Sequence, residues 1–411
     1  MPHIVVGIDV HKKILAVVLA DADQEELRFQ RRTFGTGDEE LRRLSGWLSE
    51  MGAQEAVMES TAQYWKPVWR ALERQCHLEL AQAQSNRARR GRKSDYRDAE
   101  RLVRRYLADE LVLSFVPDPE QQLWRTFSRT KVRWSRDRSR LQNRLEALLE
   151  EMGIKLSSII SDLLGVSGTR ILQAIADGEQ DCASLARLAE GRLEATAEQL
   201  QDALQRVPEV DPRYRIVLKQ LLAQVELADK HMAELDRALA EALRPHAAAV
   251  ERLAKVPGLG VDSAQQIIAE VGPAAERFAS AAELCSWVGS CPGENESAGE
   301  SHGKHSPKGN KPMRRILNQA ANAAIKAKGS VFHARYCRMV ARDPKAHPVA
   351  IWAVANQMCR VVWALLRHGA AYEERGERPN PIAARRRANR LLRQLARLGY
   401  TAKLEAVPAP A

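Results

Sequence analysis

The sequence lacks two features that would take the chain into or across a membrane. It contains no uninterrupted run of about 18 apolar residues, the length that a membrane-spanning helix needs. Its first residues, "MPHIVVGIDVHKK", do not place a basic segment before an apolar one, so we expect no secretory signal. Cysteine is also scarce, with six residues scattered over 411. Such spacing is typical of reduced thiols in a cytosolic protein.

Acidic residues are outnumbered by basic ones. The 63 Lys and Arg against 52 Asp and Glu give a formal net charge of +11. Charge of this sign and size favours a nucleic acid or an anionic membrane surface as the partner, and it says nothing about the fold.

Residues 1–115 predict an α/β domain with a mixed sheet. Short apolar runs indicate strands, and amphipathic segments with acidic starts indicate helices. The predicted strands cover a hairpin over 4–20 and the segments 27–34, 55–60 and 77–83, and the predicted helices cover 37–52, 64–76 and 95–107. The resulting order, βββαβαβα, is that of a mixed sheet packed against helices.

Residues 116–248 predict two long helices. One begins near 118, and the other begins at Asp211-Pro212, a favourable cap and first-turn pair. The apolar stripes comprise Leu123, Phe127, Trp134, Leu141, Leu145 and Leu148 in the first helix and Leu221, Val225, Ala228, Met232, Leu235, Leu239 and Ala242 in the second. We expect an antiparallel coiled coil with a helical insertion at 155–210, although a plain bundle core has the same spacing. Basic residues on the other faces of the first helix are Arg129, Lys131, Arg133, Arg136, Arg138, Arg140 and Arg144.

Residues 249–370 predict a third unit. The segment "VPGLGVDSAQQIIAEVG" (256–272) is similar to a helix-hairpin-helix element, whose backbone amides hold phosphate, but an ordinary turn fits the same glycines. A polar loop over 289–311 precedes a helix from Met313, and loops of this length are usually functional or disordered. The stretch 371–411 is predicted to be a basic, weakly ordered tail.

Two carboxylates, Asp95 and Asp98, lie in the basic stretch "GRKSDYRDAERL". Acids at a helix start are common, but Asp9 and Glu59 each close an apolar strand as well. Strand-end acids plus a helix pair fit a two-Mg²⁺ site acting on phosphodiesters. His11 is predicted to transfer a proton, contact phosphate or have no chemical role. The cations predicted to hold a nucleic acid backbone here are Arg87, Arg89, Arg90, Arg92, Lys93 and Arg97.

A second set of potential metal ligands is Cys285, Cys291, His302 and His305. Because their spacing matches no common zinc finger, we expect a core cysteine with loop histidines and no zinc.

Five motifs in register resemble the DEDD transposases of bacterial insertion sequences, in insertion-sequence family one-hundred-ten. They are "GIDVHKK", "VMESTAQYW", "GRKSDYRDAERL", "VPGLG…AQQIIAEVG" and "CPGENESAG…KGNKPMRRIL", in order over about 4–330. The resemblance implies an N-terminal RuvC-like (RNase H-type) domain whose Asp-Glu-Asp-Asp set falls on Asp9, Glu59, Asp95 and Asp98. It also implies a C-terminal transposase domain with a nucleophilic serine.

The polar loop offers several candidates for that serine: Ser286, Ser290, Ser297, Ser301 and Ser306. The family's "ESAG" motif falls on 296–299, which points to Ser297. The cations predicted to hold phosphates downstream are Lys304, Lys308, Lys311, Arg314 and Arg315.

The resemblance implies an insertion-sequence transposase that cuts and rejoins donor and target DNA through Ser297, assisted by Mg²⁺ on the four acids. A structured noncoding bridge RNA would choose the sequences by base pairing, and the protein would act as a dimer or tetramer in the bacterial cytoplasm, at the nucleoid. Two other functions stay open. One is a metal-dependent, structure-selective nuclease without a covalent intermediate, and the other is a catalytically inactive nucleic-acid-binding scaffold.

Overall fold

The chain divides into two compact units, Met1–Asp118 and Pro119–Ala411. The structure, a computed structural model, describes residues 2–59, 62–83, 86, 94–189, 193, 195–291, 296–297, 300–301, 309–374, 376 and 381–401. The finer predicted division, with boundaries after 115, 248 and 370, stays a prediction.

A five-stranded mixed sheet forms the centre of the first unit. Its strands are β1 (Ile4–Val10), β2 (Ile14–Asp21), β3 (Gln30–Gly35), β4 (Ala53–Glu59) and β5 (His77–Ala81). They lie in the order β3-β2-β1-β4-β5, with β1, β2 and β3 antiparallel and with β4 and β5 parallel to β1. Every residue of the central strand β1 is buried.

Helices cover both faces of this sheet. They are α1 (Asp38–Glu50), α2 (Trp65–Leu72) and α3 (Asp95–Leu107). Because strand side chains alternate, Ile8 of β1 packs on the face that holds α1 and α2, while Val5 packs with Ala99 and Val103 of α3 on the other face. The predicted mixed α/β fold, with the element order βββαβαβα, is therefore confirmed.

Helix α3 lies unusually close to β1 at Gly7. A Cβ atom built there would lie 2.4 Å from the carbonyl oxygen of Ala99 and 2.8 Å from Cγ2 of Val103. Only glycine leaves room for this approach, so the identity of one residue sets the distance between the helix and the central strand.

Most of the described residues of the second unit are helical. Its helices are α4 (Pro119–Glu151), α5 (Leu156–Ile159), α6 (Val166–Asp177), α7 (Cys182–Arg187), α8 (Ala197–Leu204), α9 (Tyr214–Ala242), α10 (Ala247–Ala254), α11 (Val261–Val271), α12 (Ala281–Val288), α13 (Lys311–Ala324), α14 (Val331–Val340), α15 (His347–His368) and α16 (Pro381–Arg397). Two short strands, β6 (Glu296–Ser297) and β7 (Glu300–Ser301), pair antiparallel between α12 and α13.

The long helices α4 and α9 lie antiparallel along each other. Tyr214, at the start of α9, donates a hydrogen bond of 2.8 Å to Glu151, at the end of α4. Further along, Arg138 Nε lies 2.6 Å from Asp229 Oδ1. The buried residues of the two stripes include Leu141, Leu145, Leu148, Leu221, Val225, Ala228 and Leu239. The helices α5 to α8, between the two, share one apolar core with them.

The predicted stripe is wrong at the start of α4. Leu123 is 48% exposed, whereas the neighbouring Trp124 is buried and packs edge-on against His246. Helix α9 ends at Ala242, so the first turns of α4 pack instead against the segment after α9 and against α11. These neighbours bury a different side of α4 from the side that faces α9.

Helix α15 is the core helix of the C-terminal part of the second unit. It packs against α12, α13 and α14. Among the described residues, one helical stretch, Pro344–His368, is long and apolar enough to cross a membrane, and half of its most apolar window is buried inside the protein. Core helices satisfy the same criterion, so this is weak evidence for a span.

The segment after 370 contains one described helix, and its predicted weak order stays a prediction. Residues Pro381–Arg397 form the helix α16, rich in the strong helix formers alanine, leucine and arginine.

The fit at Gly7 can be tested by adding one methyl group. We expect Gly7→Ala to lower the free energy of unfolding by about 1–3 kcal/mol, because the new Cβ would overlap backbone atoms of α3. The matched control is Gly46→Ala in α1, where nothing lies within 4 Å and alanine should stabilise the helix by up to about 1 kcal/mol. Chemical denaturation followed by circular dichroism measures both. Equal stabilities of Gly7→Ala and the wild type would contradict the close packing.

Candidate active site

Two strand ends place acids side by side at one edge of the sheet. Asp9 lies near the end of β1 and Glu59 at the end of the parallel neighbour β4, with Ile8 paired to Met58 directly before them. Because strand side chains alternate, Asp9 shares the face of Val5, which packs against α3. The same alternation puts Glu59 on the face of Val57, which also packs against α3.

The first turn of α3 supplies two further acids, Asp95 and Asp98. Residues three apart on a helix share a face. The contact at Gly7 holds this helix against β1, so the face carrying both acids lies beside Asp9. Asp95 and Asp98 lie near enough to Asp9 for their charges to raise its pKa.

His11 lies between two of these acids. Its Nε2 atom is 3.1 Å from Asp9 Oδ2 and 3.4 Å from Asp95 Oδ1. One ligand atom from each of the three residues lies within 4.8 Å of the others. A divalent cation at about 2.1 Å from its ligands leaves neighbouring ligands about 3.0 Å apart and opposite ones about 4.2 Å apart. The donor set therefore fits a divalent cation.

A chain of hydrogen bonds orients the other two acids. Asn86, which is 1% exposed, donates a hydrogen bond of 2.9 Å to Glu59 Oε2. Arg101 Nε donates to the carbonyl oxygen and the side-chain oxygen of Asn86, at 3.1 and 3.2 Å. The same guanidinium binds Asp98 Oδ1 at 2.7 Å. Glu59 and Asp98 are thus connected through two polar side chains.

Sequence reasoning missed Asn86 and Arg101 as site residues. Arg101 carried a signal, since it follows Asp98 by three residues on a predicted helix, a spacing that favours an ion pair. Asn86 carried none, because it follows the last strand in a stretch without periodicity.

The electrostatics of the site favour a bound cation. Burial raises the pKa of Asp9 above its ordinary value, and the charges of Asp98, Asp95 and Glu59 raise it further, while His11 opposes them. The carboxylates therefore destabilise one another when all are ionised, and a cation among them would relieve that repulsion.

Ser297 lies in β6, in the second unit. Its backbone pairs with Glu300 of β7, and Glu296 pairs with Ser301. Several predicted phosphate ligands and zinc candidates lie outside the described residues: Arg87, Arg89, Arg90, Arg92, Lys93, Lys304, Lys308, His302 and His305. Of the candidate zinc ligands, Cys285 is buried and Cys291 is half-buried.

The described cations near the predicted contacts differ in their surroundings. Arg97 and Lys311 are exposed. Arg314 donates to the carbonyl oxygen of Gly289 and lies over Trp352, and Arg315 is half-buried. Phosphate binding by these residues stays a prediction.

The helix-hairpin-helix resemblance has a packing counterpart in α10 and α11. Gly258 has φ of +86°, and a Cβ there would lie 2.2 Å from the carbonyl oxygen of Ala320 in α13. This glycine is therefore required by packing and conformation, whether or not the turn binds phosphate.

Comparison with known proteins matches both units to transposases. A family model described as "Transposase IS116/IS110/IS902 family" matches residues 250–337. A second, described as "Transposase" and specific to DEDD transposases of IS110, matches residues 6–154. A "Probable family 20 transposase" of Pseudomonas aeruginosa is 25% identical over 288 residues, which cover 69% of this chain and 75% of that protein.

Two further relatives match over shorter regions. An "Insertion element IS110 uncharacterized 43.6 kDa protein" of Streptomyces coelicolor is 35% identical over 30% of both chains. A "Putative transposase y4pF/y4sB" of Sinorhizobium fredii is 25% identical over 38% of this chain and 39% of that protein. The two family models together cover more than half of the chain, and the protein belongs to the IS110 family of DEDD transposases. It is therefore an enzyme of DNA transposition.

Removing one acid should change how the protein responds to metal. We expect millimolar Mn²⁺ or Mg²⁺ to raise the melting temperature of the wild type by several degrees and to leave Asp9→Asn unchanged, because the variant loses the central ligand. Without metal, Asp9→Asn should be the more stable protein at pH 7. The raised pKa of Asp9 means that its ionised form costs stability as pH rises through that pKa, and asparagine removes this cost.

The advantage of Asp9→Asn should disappear as the pH falls and Asp9 takes up its proton. Asp109→Asn, an exposed acid after α3 at a left-handed position that asparagine tolerates, is the control and should behave as the wild type. Differential scanning calorimetry measures these values. Equal metal stabilisation of Asp9→Asn and the wild type would show that the ion binds elsewhere.

Proposed function

We propose that this transposase is an RNA-guided DNA recombinase with a RuvC-like (RNase H-type) acid site and a serine nucleophile. The sheet order β3-β2-β1-β4-β5, with its acids at the carboxyl ends of adjacent parallel strands, supports the first part. Sites in α/β sheets commonly lie outside the carboxyl ends of the strands.

The observation that carries the proposal is the convergence of acids from three elements on one sheet edge. Asp9 comes from β1, Glu59 from β4, and Asp95 and Asp98 from α3, and the other three all act electrostatically on Asp9. Mutually repelling carboxylates are costly in an unliganded protein, so such an arrangement is expected where a cation is bound.

Mg²⁺ on these acids, with two ions suiting four carboxylates, would neutralise charge that develops on the phosphodiester. The chain's own part is to hold the ligands. Asp9 and Asp95 present oxygens on either side of His11. Asn86 fixes Glu59 by donating to one of its oxygens, and Arg101 fixes the orientation of Asp98.

Ser297 is the proposed nucleophile. Its hydroxyl gives up a proton as Oγ attacks phosphorus and forms a phosphoserine bond, while the bond to the leaving sugar oxygen breaks and that oxygen takes up a proton, so that the step is balanced. A sugar hydroxyl of the new partner strand then attacks the phosphoserine, which rejoins DNA and frees the serine. The family match over 250–337, which includes the serine motif, supports this assignment.

The proposed partners are donor DNA, target DNA and a noncoding bridge RNA that selects both by base pairing. In this scheme the protein grips backbones and leaves sequence to the RNA. A net charge of +11 supports this role, as do exposed arginines on α4, namely Arg133, Arg136, Arg140 and Arg144.

We further propose that the protein works as a dimer or tetramer on DNA in the bacterial cytoplasm, at the nucleoid.

A second candidate function is hydrolytic cleavage by the acid site alone. It is favoured by one specific observation: the four acids and their orienting residues Asn86 and Arg101 all belong to the first unit. A metal-dependent nuclease of this kind would cut DNA without forming a covalent link to the protein.

Trapping the covalent intermediate separates the two functions. The purified protein, the RNA that copurifies with it, Mg²⁺ and end-labelled donor DNA are incubated, quenched in denaturant and separated on a gel. We expect a protein–DNA adduct with the wild type and none with Ser297→Ala, since no other group would form the phosphoserine. Asp98→Asn should reduce adduct formation by at least about 100-fold while leaving DNA affinity within a few-fold.

The matched control is Ser301→Ala, on the paired strand of the same hairpin, which should form the adduct as the wild type does. Metal-dependent cleavage without an adduct, unchanged in Ser297→Ala, would support hydrolysis and refute the serine chemistry.

A further inference from the structure

A fully buried carboxylate lies in the second unit, far along the chain from the acid site. Glu270, in the last turn of α11, has no exposed surface. Arg129 of α4 binds both of its oxygens at 2.8 Å, and Arg125 approaches to 3.6 Å. Burial alone would raise the pKa of Glu270, but the hydrogen bonds and charge of Arg129 hold it below its ordinary value. Glu270 is therefore an ionised anchor inside the protein.

A third partner of Glu270 directly follows the serine loop, by which we mean residues 290–309 between α12 and α13. Asn310, the first residue after that loop, donates a hydrogen bond of 2.9 Å from Nδ2 to Glu270 Oε2. The side-chain oxygen of Asn310, Oδ1, accepts a hydrogen bond of 2.9 Å from the amide of Met313 and so caps α13. One side chain thus ends the loop, starts the helix and binds the anchor.

The beginning of the serine loop is held at the same place. The amide of Asn310 donates 3.1 Å to the carbonyl oxygen of Trp287. At Gly309 a Cβ would lie 2.1 Å from the carbonyl oxygen of Val288, so the two ends of the loop meet backbone against backbone. Arg314 adds a hydrogen bond to the carbonyl oxygen of Gly289. Both ends of the loop are therefore fixed near Asn310.

We propose that Glu270 is a positioning residue. It fixes the base of the serine loop, where the two ends of the loop meet, to α4 and thereby sets where Ser297 can reach DNA. This role rests on the proposed function of Ser297 as nucleophile. The end of the loop is hydrogen-bonded to the buried charge through Asn310, and the start of the loop is held against Gly309, Asn310 and Arg314. The base of the loop therefore has little rigid-body freedom. Nucleophilic attack is sensitive to displacements of about 1 Å. A less firmly held loop base should therefore slow the reaction more than it weakens DNA binding.

The structure offers a substitution that separates this role from capping. Asn310→Asp keeps an oxygen that can cap α13, but it replaces the donating amide with an oxygen that faces Glu270 and repels it. Asn310→Ser is the second variant, because its hydroxyl also caps a helix but does not repel the carboxylate. The matched control is Asp229→Asn, which removes an ion pair between α4 and α9 without touching the loop.

The experiment measures adduct formation with labelled donor DNA, copurified RNA and Mg²⁺ over a range of DNA concentrations. We expect Asn310→Asp to lower the rate at saturating DNA by about 10- to 100-fold, with the half-saturating DNA concentration within threefold of the wild type. Asn310→Ser should fall between that variant and the wild type. In parallel, hydrogen exchange should become faster at the amides of Gly289, Ser290 and Asn310 in Asn310→Asp and stay unchanged in Asp229→Asn.

The possible outcomes distinguish this inference from the proposed function. If the wild type forms no adduct, the serine chemistry is overturned and the positioning role with it. If the wild type forms an adduct and Asn310→Asp forms it at the same saturating rate, only the positioning role is overturned. A drop in rate of equal size in Asp229→Asn would mean that general loosening of the helices is the cause, which also overturns it.

Discussion

The close approach of α3 to β1 at Gly7 is the contact on which the acid site depends. The missing side chain lets the carbonyl oxygen of Ala99 come almost onto the strand, and the first turn of α3 then lies beside the buried end of β1. Without that contact, Asp95 and Asp98 would be ordinary acids at a helix start. With it, they join Asp9 and Glu59 at one edge of the sheet, where each ionised carboxylate raises the cost of the next.

Two buried acids in this chain, Asp9 and Glu270, lie in opposite electrostatic surroundings. Asp9 lies among other carboxylates, and its burial together with their charges raises its pKa, so a cation from outside would suit this site. Glu270 is surrounded by arginines of the same chain, and its lowered pKa indicates a charge already neutralised within the protein. The first arrangement suits a catalytic centre, and the second suits an anchor.

How much the sequence could predict depended on how local each signal was. Asp9 and Glu59 were predictable because each ends an apolar strand, and Asp95 and Asp98 because they open an amphipathic helix. The order of the elements in the first unit followed from the same local patterns. The sequence predicted one site for the four acids, but it did not predict the contact that brings α3 onto β1, because that contact joins a glycine to residues about ninety positions away.

Contacts that join distant segments were missed for the same reason. Arg129 belonged to a series of basic residues that sequence spacing assigned to the outer faces of α4, yet it binds Glu270, 141 residues away. Leu123 was assigned to the buried stripe because its spacing fitted, but α9 ends at Ala242 and the neighbouring Trp124 is buried instead. Asn86 offered no pattern at all. Its role appears only when β4, the segment after β5 and α3 are folded together.

If the acids from β1, β4 and α3 form one divalent-metal site, a bound ion must lie between them, and its position can be measured. Crystals of the protein grown or soaked with Mn²⁺ would be measured at a wavelength where manganese scatters anomalously. We expect an anomalous peak about 2.2 Å from an oxygen of Asp9, with Asp95, His11 or Glu59 among the other ligands. Full manganese occupancy elsewhere, with Asp9 still bonded to His11 and no peak between the acids, would contradict it.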